Sequence, residues 1–270
     1  MINGEISVGA GVATFSYVSS FISPLESILY DVSAIQSTDA VRKKFLHMIS
    51  TGIRKDQPVP RKVERGISLR NVDYHNGGFR IRIDSLDFER GKKYAIVGGN
   101  GCGKSTLLKL IMQYLEPDSG TISLDGIPIC GLDTSACISY IDQNEYIYHA
   151  GIHDNVTIFD SYPDARQQIR DVFWQKSADP EDVDCQKMSG GERQLIAFLR
   201  VAAQDTPIVL MDEPFAAMDV VNTKKMQDYL LESRDMADKT VIIITHDVSE
   251  ETLAKYDAVV RADAFRVCET

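Results

Sequence analysis

Eight residues from Gly98 to Ser105 have the types and spacing that a phosphate-binding loop requires. They read Gly-Gly-Asn-Gly-Cys-Gly-Lys-Ser and fit the pattern G-x-x-x-x-G-K-[ST]. Glycines let backbone N–H groups turn towards phosphate oxygens, Lys104 can reach the β- and γ-phosphates, and the Ser105 hydroxyl can bind Mg²⁺. An apolar strand, Tyr94–Val97, precedes the loop, and a predicted helix, Ser105–Leu115, follows it. The segment therefore predicts a site for a nucleoside triphosphate.

A second group of chemically capable residues ends the apolar run that begins at Ile208. Asp212 and Glu213 follow this run directly. Ionised carboxylates are costly to bury without a partner, so packing alone does not explain the pair. Asp212 is placed to hold Mg²⁺ through water, and Glu213 to orient or deprotonate an attacking water.

A third motif, Met188–Gln194, reads Met-Ser-Gly-Gly-Glu-Arg-Gln at the start of a predicted helix, Glu192–Ala203. Two glycines after a serine at a helix N-terminus predict a second place where an anion can bind. Alone the motif would also suit an ordinary turn. Its position before Asp212 and after the phosphate loop makes it specific.

Short strands that alternate with helices must position these groups. Ile67–Tyr74 and Phe79–Leu86 alternate in polarity and predict antiparallel strands around a loop. Apolar runs predict strands buried on both faces, and these are Ile138–Asp142, Ile208–Met211 and Val241–Thr245. A further helix is predicted at Tyr162–Phe173. This order predicts an α/β fold built on a parallel sheet.

Composition narrows the class of protein. The 270 residues carry a formal net charge of −10, which disfavours nucleic acid as a partner because phosphate backbones select basic surfaces. Five cysteines are scattered without CxxC spacing, a pattern typical of reduced thiols rather than of a disulfide framework or a zinc site.

In this order and spacing the three motifs resemble the nucleotide-binding domain of ABC transporters, over about Gly66 to Val260. The resemblance implies a P-loop NTPase core with a parallel sheet, a small antiparallel β subdomain and an inserted helical subdomain at about 144–200. It implies ATP and Mg²⁺ as ligands and ATP hydrolysis between two ATPase domains, identical or different. With Met188 and Met218 the chain has methionine where the family commonly has leucine. The short interval between Gln143 and Ser189 implies a reduced helical subdomain.

The resemblance also assigns roles to single residues. Gln143 resembles the glutamine that senses Mg²⁺ and water, and His246 resembles the histidine that contacts the γ-phosphate. Asp219 resembles the aspartate that communicates across the dimer, and Tyr74 resembles the aromatic residue that stacks on adenine. The implied nucleotide contacts are Gly98, Asn100, Gly101, Cys102, Gly103, Lys104, Ser105 and Thr106 of one chain, with Ser189, Gly190, Gly191 and Glu192 of the other. The implied Mg²⁺ ligands are Ser105, Gln143 and, through water, Asp212.

The N-terminal region differs from the rest of the chain. Ile6–Ser23 contains no charged residue, and a basic stretch that includes Arg42, Lys43 and Lys44 follows it. This pattern predicts a membrane helix with its C-terminal side in the cytoplasm, although a buried or amphipathic soluble helix also fits. The region resembles the last transmembrane helix and connector of type I exporters.

Three regions are therefore expected: part of a last transmembrane helix with its extension (1–36), a connector (37–65) and an ABC ATPase domain (66–270). The segment Gly151–Val156 resembles the exporter pattern as well. We expect a fragment of an exporter that lies at the cytoplasmic face of the cell membrane, joined to a transmembrane domain. The cargo is left open.

Other classes of ATPase remain as alternatives. A soluble ABC-type ATPase with a non-transport role would lack the membrane segment. A chromosome-maintenance ATPase would separate the phosphate loop and Asp212 by long coiled coils, yet Asp212 follows Lys104 by only 108 positions. A GTP-binding protein would carry an N-K-x-D motif, which the sequence lacks.

Overall fold

The structure is a computed structural model that describes residues 15–18, 20, 57–58, 62–143, 146–162 and 184–265. The chain divides into two compact units, Met1–Lys55 and Asp56–Thr270. In the first unit, residues 15–18 and 20 are helical. Within the described ranges no helix has both the length and the hydropathy that crossing a bilayer demands. Most of the predicted membrane segment Ile6–Ser23, and the predicted helix beyond Tyr162, lie outside the described residues.

The second unit alternates strands and helices. Its strands are β1 (Gln57–Pro58), β2 (Gly66–Asn76), β3 (Phe79–Glu89), β4 (Lys93–Val97), β5 (Ser119–Leu124), β6 (Ile127–Pro128), β7 (Leu132–Asp133), β8 (Ile138–Ile141), β9 (Ile208–Asp212), β10 (Thr240–Ile244) and β11 (Ala258–Arg261). Its α-helices are α1 (Lys104–Ile111), α2 (Ile152–Thr157), α3 (Gly190–Gln204), α4 (Val220–Glu232) and α5 (Glu250–Leu253). Short 3-10 turns cover Cys185–Lys187, Arg234–Met236 and Ala262–Phe265.

A parallel sheet with the strand order β11-β4-β10-β9-β8 forms the centre of this unit. Every residue of β4, β9 and β10 is buried. Alternate side chains enter two separate hydrophobic clusters, with Ile96 in one and Ala95 in the other. Burial on both faces explains why these strands are continuous apolar runs. Because the strands are parallel, β4, β9 and β10 all end at the same edge of the sheet.

An antiparallel sheet with the order β3-β2-β5-β6 packs beside this core. The predicted hairpin is confirmed, since β2 pairs with β3 in a register that places Tyr74 opposite Ile81. Its turn includes Gly77, whose φ of 61° suits glycine. The α/β fold class with a parallel and an antiparallel sheet is therefore confirmed.

The helix after the phosphate loop ends earlier than its sequence suggests. We predicted a helix over Ser105–Leu115, whereas α1 covers Lys104–Ile111. Gln113 takes a left-handed φ of 58°, which ends the helical path even though apolar spacing continues. Of the predicted helical subdomain at about 144–200, the described residues contain α2 and most of α3; its extent stays a prediction.

Candidate active site

The phosphate loop joins the end of β4 to α1, as the sequence predicted. The Lys104 side chain is buried, and its Nζ donates to the carbonyl oxygens of Gly98 (2.9 Å) and Gly99 (3.0 Å). Gly103 caps α1 with a φ of 104°, a conformation that residues with a side chain rarely adopt. A Cβ at Gly103 would lie 2.7 Å from the Ile81 Cγ2, so the loop packs closely on β3.

A buried carboxylate ends β9 next to this loop. Asp212 is 3% exposed, and its Oδ1 has no hydrogen-bond partner among the described residues. Burial raises the pKa of this carboxyl, while a hydrogen bond with the Ser105 side chain opposes the rise. An unsatisfied buried oxygen beside a hydroxyl ligand is the donor set that a hard divalent cation prefers.

Glu213 connects three segments that are distant in sequence. Its Oε1 lies 2.5 Å from His246 Nε2, and its Oε2 accepts from Gln143 Nε2 at 3.0 Å. Its φ is 51°, a left-handed value that is uncommon for a residue other than glycine. The Glu213 N–H donates to the Ile244 carbonyl of β10, which helps to hold this turn in place. The three residues predicted to be catalytic thus meet at one carboxylate.

A cavity of about 620 Å³ joins these groups. Its size is that of a small-molecule site. Ten residues line it: Phe79, Asn100, Gly101, Gly103, Lys104, Ser105, Thr106, Gln143, Glu213 and His246. The cavity therefore combines the phosphate loop, the N-terminus of α1 and the Glu213 carboxylate with its two partners.

Two predicted loop contacts do not line the cavity. These are Gly98 and Cys102, and the Cys102 side chain is only 3% exposed. Burial raises the pKa of the Cys102 thiol. The buried thiol is therefore not a contact group in this cavity, and a contact between nucleotide and the Cys102 backbone stays a prediction.

Tyr74 is a further predicted nucleotide contact that the structure places outside the cavity lining. It is 8% exposed and belongs to the same hydrophobic cluster as Leu69 and Ile81, and it is absent from the cavity lining. Alternation along β2 directs its side chain inwards. Phe79, at the start of β3, is instead the aromatic residue of the cavity. The sequence reasoning missed it because the hairpin turn, rather than spacing from Lys104, decides which aromatic side chain faces the loop.

The segment from Ser189 to Glu192 lies apart from the cavity lining. Ser189 caps α3, and Glu192 completes a capping box, with Ser189 N to Glu192 Oε2 at 2.9 Å and Glu192 N to Ser189 Oγ at 3.3 Å. A Cβ at Gly191 would lie 2.9 Å from the Ala217 carbonyl oxygen, so the motif packs against the segment after β9. The first two positions of α3 carry no side chain, because they are Gly190 and Gly191.

Asp219 also lies outside the cavity lining. Its Oδ1 accepts from Asn222 N at 2.9 Å and its Oδ2 from Asn222 Nδ2 at 2.7 Å, so it caps α4. The N–H of Asn222 holds the pKa of this carboxyl below its usual value. Within one chain the structure therefore separates Ser189–Glu192 and Asp219 from the phosphate loop.

Asp263 is a site neighbour that the sequence did not single out. It belongs to the 3-10 turn Ala262–Phe265, and its Oδ1 accepts from Gly99 N at 3.0 Å. No motif marks it. The pairing of β11 with β4 brings the turn after β11, which contains Asp263, to the phosphate loop.

The chain is similar in sequence and in fold to several known proteins. The sequence model described as ABC transporter matches residues 81–216, which is 136 of the 270 residues. The mesentericin transport/processing ATP-binding protein of Leuconostoc mesenteroides is 28% identical over 91% of this chain and 36% of its own length. The ATP-dependent lipid A-core flippase of Neisseria gonorrhoeae is 27% identical over 99% of this chain and 45% of its own length.

A solved structure, described as a bacterial Atm1-family ABC exporter with ATP bound, superposes with a TM-score of 0.67 at 22% identity. It covers 97% of this chain, and this chain covers 50% of it. At this identity the likeness establishes the fold. The chain spans half or less of the length of each of these three proteins.

Proposed function

Because this chain belongs to the ABC transporter family, we propose that it binds and hydrolyses Mg-ATP and that this hydrolysis drives export of a substrate across a membrane. One observation carries the proposal. The carboxylate of Glu213, held by His246 and Gln143, lies in the same cavity as the phosphate loop. A base and a phosphate cradle that share one cavity are the parts that phosphoryl transfer to water requires.

ATP binding begins at Lys104. Its ammonium group now donates to two carbonyls of its own loop, and these weak acceptors would be exchanged for the charged β- and γ-phosphate oxygens. The N–H groups at the start of α1 point at the same position and favour negative charge there. Asn100, Gly101, Gly103 and Thr106 line this part of the cavity.

The base of the nucleotide would lie against Phe79. This ring lines the cavity next to Gly103, whereas the Tyr74 ring is committed to the core. An aromatic ring at the cavity wall offers the flat apolar surface on which a purine stacks. Phe79 therefore takes the place that the sequence comparison assigned to Tyr74.

The residues that would hold Mg²⁺ are Ser105, Gln143 and, through water, Asp212. The unpartnered Asp212 Oδ1 beside Ser105 fits such an ion, because a buried carboxylate oxygen without a donor is costly otherwise. When bound, the ion supplies positive charge against the charge of the phosphates.

Hydrolysis is assigned to Glu213 as the group that accepts a proton from the attacking water. His246 and Gln143 hold its two oxygens and so set its direction towards the cavity. His246 is 51% exposed at its side chain, which leaves it accessible to a γ-phosphate. Positioning and charge, rather than covalent chemistry, would supply most of the rate.

Two ATPase domains complete the site. The segment Ser189–Glu192 at the N-terminus of α3 does not line its own chain's cavity, and a helix N-terminus favours a nearby anion. In the proposed dimer this segment of one domain covers the γ-phosphate bound to the other. Asp219, at the start of α4, would then lie at the shared surface. Both identical and different partners fit this arrangement.

The export role is favoured over a soluble, non-transport ATPase. The relatives from Leuconostoc and Neisseria match nearly all of this chain, including residues before the family match at 81–216. One is named a transport/processing protein and the other a flippase. We therefore place the domain at the cytoplasmic face of a membrane, joined to a transmembrane domain. The regions 1–36, 37–65 and 66–270 keep the roles proposed from the sequence.

The experiment on the ATPase role measures Mg-ATP binding by calorimetry and phosphate release by the folded chain. Absence of binding at millimolar Mg-ATP would refute the proposal. The transport role is tested on the full gene product. It should fractionate with membranes and need ATP for substrate movement in proteoliposomes, whereas a full gene product confined to the soluble fraction would favour the non-transport ATPase.

A further inference from the structure

We propose that Asp263 is a positioning residue that holds the phosphate loop in its binding shape from outside the cavity. The inference rests on the proposed function of that loop in binding Mg-ATP. Asp263 follows β11, and β11 runs parallel to β4 with Arg261 opposite Val97. The chain that leaves β11 therefore lies directly beside the chain that leaves β4, where the phosphate loop begins.

The carboxylate of Asp263 lies next to the first residues of the loop. Its Oδ1 accepts from Gly99 N at 3.0 Å. A Cβ at Gly98 would lie 3.1 Å from Asp263 Oδ2 and 2.8 Å from the Cys102 sulfur. The Asp263 carboxylate and the Cys102 thiol therefore fill the space that a side chain at Gly98 would occupy.

These contacts lie on the side of the loop that faces away from the cavity. Gly98, Gly99 and Cys102 are not among the lining residues, whereas Asn100, Gly101 and Gly103 are. A negative side chain in this place does not occupy the position of a phosphate. The Asp263 carboxylate satisfies the Gly99 N–H, which the phosphates would not use. The N–H groups that face the cavity stay free to bind phosphate oxygens.

Lys104 also stabilises this part of the loop, because it donates hydrogen bonds to the carbonyl oxygens of Gly98 and Gly99. These two hydrogen bonds are lost when Lys104 turns to the phosphates of ATP. The hydrogen bond from Gly99 N to Asp263 does not depend on Lys104. It can therefore keep the first turn of the loop in place during binding, which reduces the ordering cost that binding must overcome.

The test compares Asp263→Ala with Asp263→Asn, which keeps an acceptor oxygen for Gly99 N. Asp84→Ala is the control, because it removes an aspartate whose side chain is 80% exposed on β3. We expect Asp263→Ala to raise the Kd for Mg-ATP about fivefold to tenfold, the size of one typical intramolecular hydrogen bond. The Asn variant should recover most of this loss, and the control should bind as wild type does.

Turnover distinguishes positioning from damage to the chemistry. Asp263→Ala should raise KM in parallel with Kd and keep kcat at saturating ATP within about twofold, since Glu213 is untouched. A Kd for Asp263→Ala within twofold of wild type, a fall in kcat without a rise in Kd, or an Asn variant as weak as the Ala variant would each overturn the proposal.

Folding is checked by the thermal midpoint of each variant. If Asp263→Ala does not fold, Asp263→Ser carries the same comparison, because its short hydroxyl cannot reach Gly99 N. Failure of the proposed function gives a different result from failure of this inference. If the wild type binds no Mg-ATP, the ATPase assignment is refuted. If the wild type and Asp263→Ala bind Mg-ATP equally tightly, only the role of Asp263 is refuted.

Discussion

Replacement of Glu213 by Gln tests the assignment of the catalytic base most directly. The change keeps the shape of the side chain and replaces one carboxylate oxygen by an NH₂ group. One oxygen can still accept from His246, and a flipped Gln143 amide can accept from the new NH₂. The cavity should therefore keep its form, and the variant should lose the basic carboxylate rather than the fold.

The expected magnitude follows from this geometry. A charged hydrogen bond becomes a neutral one, which costs about 1 kcal/mol of stability at most. General-base catalysis contributes roughly 10²- to 10⁴-fold, or about 3–5 kcal/mol of the barrier. We thus expect kcat to fall at least 100-fold, while the Kd for Mg-ATP changes less than about fivefold.

Phosphate release and calorimetry measure the two quantities, and size-exclusion chromatography with Mg-ATP adds a third. Slow hydrolysis should let an ATP-bound dimer accumulate in Glu213→Gln. The matched control is Glu89→Gln at the end of β3, whose side chain is 63% exposed and distant from the cavity lining. Turnover above a tenth of wild type in Glu213→Gln would refute the role of this carboxylate.

Three further predictions concern the loop and its surroundings. Gly103→Ala should abolish Mg-ATP binding, because the new methyl would lie 2.7 Å from a β3 side chain at a φ of 104°; calorimetry checks this. Phe79→Ala should weaken ATP binding about tenfold with little change in thermal midpoint, whereas Tyr74→Ala should cost about 3–5 kcal/mol of folding stability as a buried aromatic residue. Equal loss of ATP affinity in both folded variants would contradict the placement of the base. Cys130, which is exposed, should react with iodoacetamide well before Cys102, which is buried with a raised pKa; peptide mass mapping that finds Cys102 first would contradict the described loop.

Local sequence patterns sufficed wherever the chemistry is local. The phosphate loop needs glycines, a lysine and a serine in one continuous turn, so spacing alone located Lys104 and Ser105. Strands such as β9 and β10 are apolar at every position because both faces of the sheet are covered, and this was visible without the fold. The carboxylates after Ile208 stood out because they interrupt such a run.

Side-chain direction was not visible in the same way. Tyr74 and Phe79 are both aromatic residues of one hairpin, and their types do not say which ring faces the loop. Tyr74 pairs with Ile81, two residues after Phe79, so both rings lie on one face of the hairpin, and only Phe79, the ring nearer the turn, reaches the cavity. Cys102 similarly stands in the phosphate-loop motif, yet the backbone of the loop directs its thiol behind the cavity.

The reacting groups and the fold class could be predicted from local patterns, because glycine spacing, apolar periodicity and carboxylate placement act over a few residues. Contacts between distant segments required the folded chain: Gln143 and His246 meet at the Glu213 carboxylate, and Asp263 lies against Gly99. The parallel sheet explains this difference. Strand order and register, which depend on packing across the whole core, determine which strand ends are neighbours.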